Sequence, residues 1–174
     1  MRTIIFLAAL LLAVPGFAQN ATVDRLFDKY KDKEGFTFVY ITNHMFELFA
    51  EFDSEEDEND FIEVTKNLEG IKILNASDSL TKVDFYKSIM GELSQSDYKD
   101  LMIVHKKDHD IKFMIKEKVK GKITEFLMVA GGATGNTIIS IYGDIDLRRI
   151  KKLSRSMKIN GLDQLDNMEK EEKK

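Results

Sequence analysis

No cysteine occurs anywhere in the 174 residues, and the only proline is Pro15. The first absence rules out disulfides, thiolate metal ligands and cysteine nucleophiles, and an oxidising compartment would leave such a chain unharmed. Beyond the N-terminus no apolar run is long enough to cross a bilayer as a helix. No Gly/Ser-rich linker and no internal repeat divides the sequence, so a single domain is expected. Side chains of catalytic type are scarce, and no serine comes with a plausible base. Histidine occurs three times, and acidic residues outnumber basic ones, 30 against 26.

Met1–Ala18 has the build of a secretory signal. Arg2 supplies a positive start, Ile4–Val14 an apolar core, and Pro15-Gly16-Phe17-Ala18 a small-residue processing site, with cleavage expected after Ala18. The chain is therefore expected in the periplasm or secreted, without a transmembrane segment. Without Arg2 its net charge is −5, which disfavours nucleic acid as a partner. The remaining residues, 19–162 followed by a charged and frayed tail at 163–174, can bury roughly 68–70% of their unfolded surface, enough for one core.

The stretch Lys122–Met157 carries the strongest pattern. Ile123, Phe126, Leu127, Met128 and Val129 form a nearly unbroken apolar run, and Thr137–Tyr142 forms another, as in strands covered on both faces. Between them Gly131, Gly132 and Gly135 suit a hairpin loop. Leu147, Ile150, Leu153 and Met157 then recur at helical spacing, with Asp144 and Asp146 placed to cap that helix. Upstream, Phe36–Ile41, Ile71–Leu74, Leu101–His105 and Ile111–Glu117 read as strands. Helices are expected over Thr22–Lys33, around Met45–Phe52, from Phe61 to a stop at Gly70, and over Val83–Leu93. The expected fold class is α+β: a βαβ-like N-terminal unit, an antiparallel four-strand meander and a C-terminal helix in one domain.

LFDKYKDKEGFTFVYI, the NHMF that follows, LEGIKIL and GDIDLRRIKKLSRSMKINGL together resemble the domain-of-unknown-function family numbered 4252. Its members are small exported proteins found mainly in Bacteroidetes. The resemblance runs from about Leu26 to Leu165. The family brings no assigned activity and no accepted catalytic residues. Its genes often lie near those of extracytoplasmic-function sigma factors, so the resemblance implies an envelope-sensing or stress-linked role. Some relatives carry a lipid-anchoring cysteine, which this chain lacks.

Each candidate for chemistry meets a simpler explanation. His105 and His109 enclose Lys106-Lys107-Asp108, where a zinc protease would need glutamate after the first histidine. Gly131–Gly135 lacks the lysine and Ser/Thr of a phosphate loop. The acidic block Asp53–Asp60 has Glu58 and Val64 where an EF-hand needs glycine and glutamate. No catalytic residue, cofactor or metal ligand is therefore assigned. The basic face Arg148, Arg149, Lys151, Lys152 and Arg155 is the candidate interaction surface, for an anionic surface or an acidic patch on an envelope protein. Asp78-Ser79-Leu80 fits a bacterial O-glycosylation signature at Ser79. The leading expectation is a non-catalytic envelope binding module. A carrier of small apolar ligands or lipids and a hydrolase with an unrecognised carboxylate site are the alternatives.

Overall fold

The computed structural model describes residues 21–52, 65–76, 85–93, 98–132, 135–148 and 150. One six-stranded antiparallel sheet organises them. In chain order the elements are α1 (Ala21–Tyr30), β1 (Phe36–Thr42), α2 (Asn43–Phe52), β2 (Leu68–Ala76), α3 (Phe85–Leu93), β3 (Lys99–His105), β4 (His109–Val119), β5 (Lys122–Gly132) and β6 (Asn136–Ile145). Across the sheet they lie in the order β1-β2-β6-β5-β4-β3.

This corrects the expected fold class. β1 and β2 are antiparallel neighbours, Phe36 opposite Ala76 and Thr42 opposite Gly70, so there is no βαβ-like unit. β6 docks against β2, with Ile71 opposite Ile141 and Asn75 opposite Thr137, and joins the N-terminal strands to the rest in one continuous sheet. Gly70 ends no helix, because Leu68, Glu69 and Gly70 already belong to β2. After β6 the described residues form only a helical start, in which the Ile150 amide donates to the Asp146 carbonyl at 3.2 Å. The remainder of the expected C-terminal helix lies outside the described residues.

Both faces of the central strands are buried. On one, Val23, Leu26 and Phe27 of α1 and Phe85, Ile89 and Leu93 of α3 pack on Leu74, Met114, Leu127, Val129 and Ile138. The i, i+3, i+4 spacing in α1 makes that stripe, with Asp24 in the first turn and Lys29 in the last, each at the favourable end of the helix dipole. On the other face Phe46 of α2 and Ile150 join Ile71, Phe113, Phe126, Met128, Ile139 and Ile141. Phe126 and Leu127 thus point to opposite sides and are both fully buried, which is why β5 reads as a continuous apolar run.

Two close approaches fix the sheet's register. Gly143 has φ 136°. A Cβ there would come 2.5 Å from the Asn67 carbonyl oxygen, which accepts a hydrogen bond from the Asp144 amide at 2.9 Å. Gly131 and Gly132 lie within β5, short of the hairpin loop. A Cβ on Gly132 would stand 2.2 Å from the Asp108 carbonyl oxygen, so the turn between β3 and β4 can close over it only if that residue is glycine.

Candidate functional site

The edge strands of the sheet are unlike each other. β3 carries Lys99, Asp100 and His105, and its ladder to β4 shifts register between Asp100 and Met102. Charges and bulges of this kind keep an edge from pairing with another chain. β1 has the sequence FTFVYIT, with no charge, no proline and an unbroken register to β2. Among the described residues no strand pairs with its outer side. Val39 is 40% exposed and Tyr40 48%, and the following helix α2 exposes Met45 and Leu48 as well.

A polar cluster begins at that edge and runs inward. The hydroxyls of Tyr40 and Tyr142 are 2.7 Å apart. The Lys72 ammonium lies 5.4 Å from the Tyr40 ring centroid and 5.2 Å from that of Tyr142, and donates to the Asp24 carboxylate at 2.6 Å. The register explains the assembly: Tyr40 stands opposite Lys72 on β1 and β2, and Tyr142 on β6 leans over Gly70, where any side chain would collide with its hydroxyl. Burial, together with the hydrogen bond to Tyr40, raises the Tyr142 phenol above its ordinary range.

Tyr142 stands opposite Glu125 on β5, the one carboxylate in the buried part of that strand. One Glu125 oxygen accepts from Ser140 Oγ at 2.5 Å and the other from the Tyr98 hydroxyl. Glu125 has no exposed surface. Burial raises its carboxyl pKa, against the lowering effect of the Ser140 and Tyr98 bonds and of Lys116. The Tyr98 phenol is pushed up by burial and then by the neighbouring carboxylate. Both oxygens of Glu125 are engaged and covered, so the group is satisfied internally and faces no substrate space.

The residues singled out from sequence fall elsewhere. Arg148 is exposed and makes a two-pronged pair with Asp146, Nε at 3.1 Å from Oδ1 and Nη2 at 2.8 Å from Oδ2. Asp146 Oδ1 also accepts from the Arg148 amide at 3.0 Å, so this aspartate does cap the helical start. Asp144 does not: it is a strand residue, 3.8 Å from the Lys122 ammonium. Arg149, Lys151, Lys152, Arg155, Ser79 and the block Asp53–Asp60 lie outside the described residues. His105 bonds Asp110 at 2.9 Å and His109 bonds Asp108 at 3.0 Å, two separate pairs on either side of the turn. Among the described residues no three His, Asp or Glu side chains gather as metal ligands, and no helix is long and apolar enough to cross a membrane.

Sequence reasoning passed over Glu125, Ser140 and Tyr98, and the Tyr40–Lys72–Tyr142 group. Glu125 had a readable signal, since a carboxylate in a strand covered on both faces must find internal partners. The tyrosine–lysine group had none, because it depends on β2 lying between β1 and β6. A family model described as Domain of unknown function (DUF4252) matches residues 30–153, which include all six strands. No curated protein and no solved structure matches the chain.

Proposed function

We propose, for a chain that belongs to the DUF4252 family, a non-catalytic role in the cell envelope: binding another polypeptide by adding a strand to the outer edge of β1. The observation that carries this reading is the contrast between the two sheet edges. β3 is charged and bulged, whereas β1 is uncharged, regular and flanked by exposed Val39, Tyr40, Met45 and Leu48. An open edge supplies unpaired backbone groups as the source of affinity, and the alternating side chains supply selectivity. The envelope location rests on the signal-like Met1–Ala18. A link to sigma-factor signalling would follow if the bound polypeptide belonged to that system.

Glu125 itself is no candidate for a hydrolytic carboxylate, because it spends both oxygens on Ser140 and Tyr98.

A photo-crosslinker replacing exposed Thr37 tests the proposal in envelope fractions. Adducts that form with the native edge and vanish when Val39→Lys is added are expected. No adduct above background, or adducts indifferent to Val39→Lys, would contradict it.

A further inference from the structure

We infer that the polypeptide taken up by β1 is β1 of a second copy of this chain, giving a two-fold dimer with a continuous twelve-stranded sheet. The inference rests on the strand-addition reading above and names its partner. Placing Val39 on the two-fold axis of an antiparallel pairing sets Phe36 opposite Thr42, Thr37 opposite Ile41 and Phe38 opposite Tyr40. Every pair is then aromatic or β-branched, the kinds that stabilise neighbouring strands, and no charge meets a like charge.

At each end of this ladder a lysine of one copy approaches a glutamate of the other. Each copy brings exposed Lys33 and Glu34 to the point where the other copy's α2 begins. There His44 and Glu47 form a 2.9 Å pair, which puts the Glu47 carboxylate at the end of the ladder that the other copy's Lys33 approaches. The area needed points the same way. A ladder of seven residues spans roughly 24 Å, and backbone pairing alone falls short of the roughly 1,200 Å² that a stable interface buries. The exposed apolar groups beside the ladder, Val39 and Tyr40 on opposite faces and Met45 and Leu48 on α2, are positioned to supply the difference.

Closure distinguishes this pairing from its competitor. Joining β1 of one copy to β3 of the next would be head-to-tail and would grow into a filament, whereas β1 on β1 uses the same edge twice and stops at two. The charges and the bulge of β3 oppose the filament.

Analytical ultracentrifugation of protein purified from cells that export it, so that it carries its natural N-terminus, tests the inference. Three samples suffice: the native chain, Val39→Lys and Val39→Glu, each checked for native circular dichroism. The native chain should move from monomer to dimer mass with rising concentration. Each variant places two like charges on the axis, and its dissociation constant should rise at least about tenfold. An equimolar mixture of the two variants should recover the dimer, because lysine then faces glutamate. A native chain that stays monomeric to roughly 100 μM, variants that dimerise as the native chain does, or a mixture that stays monomeric would each overturn the inference. A monomer that still forms Val39-dependent crosslinks to other proteins would overturn the second copy alone and leave strand addition standing.

Discussion

Ser140 Oγ donates a 2.5 Å hydrogen bond to Glu125 Oε1 across the β5–β6 ladder, and neither residue reaches solvent. Together with the Tyr98 hydroxyl on the other oxygen, this makes Glu125 a load on stability that its partners offset. Replacing it with leucine should leave the buried Ser140 hydroxyl and the partly buried Tyr98 hydroxyl without an acceptor, at a cost on the order of 2–4 kcal/mol. Glu125→Gln keeps an oxygen to accept one bond and an amide to donate to the other hydroxyl, so at neutral pH it should fall within about 1 kcal/mol of the native chain or above it. Urea unfolding of both variants measures the difference.

The same carboxyl sets a pH dependence. Burial raises its pKa above the ordinary 4.5, so folding favours the protonated form. Its favourable contribution is complete below about 4.5, where the unfolded carboxyl is also protonated, and is lost as pH rises through the folded value. The native chain should therefore lose stability relative to Glu125→Gln across that window. A constant difference between the two from pH 4 upward would contradict the burial argument.

Alkaline titration addresses the tyrosines. Burial raises the phenols of Tyr86, Tyr98 and Tyr142, with the Tyr40 bond adding to the effect at Tyr142. At the pH where the unfolded chain has ionised all five of its tyrosines, absorbance at the phenolate band should show fewer than five phenolates in the native protein. Complete native ionisation at that pH would mean that Tyr98 and Tyr142 are not held as described.

Two glycines should respond in opposite directions to alanine. Gly143→Ala meets both a positive φ and the Asn67 carbonyl oxygen 2.5 Å from the new Cβ, and should cost about 1–3 kcal/mol. Gly91 lies inside α3 with nothing within 4 Å of an added Cβ, so Gly91→Ala should stabilise by about 0.4–1 kcal/mol. Thermal unfolding of the two variants reads both signs.

How far the fold was legible in sequence depends on the range of the interaction. Strand positions follow from short-range patterns: Phe126 and Leu127 announce a strand buried on both sides, whereas Ile111, Phe113 and Ile115 alternating with Lys112, Met114 and Lys116 suggest one wetter face, although Met114 is in fact buried. Their order does not. An apolar strand looks the same whether its neighbour runs parallel or antiparallel, and α2 between β1 and β2 resembled the helix of a crossover. The pairing of β2 with β6 joins residues sixty or more apart in sequence, and nothing local to Ile71 or Ile141 encodes it. For the same reason the Tyr40–Lys72–Tyr142 group was invisible, and the basic face around Arg148 drew attention because it is contiguous in sequence. The exposed edge of β1 emerged only once the strand order showed which strands end the sheet.

Hydrogen exchange of the backbone amides of β1 tests the central claim most directly, because it reports on the edge itself. The account predicts that protection across Phe36–Thr42 rises with protein concentration while that of β3, the opposite edge, stays unchanged. Exchange in β1 that is indifferent to concentration and to added envelope proteins would contradict it.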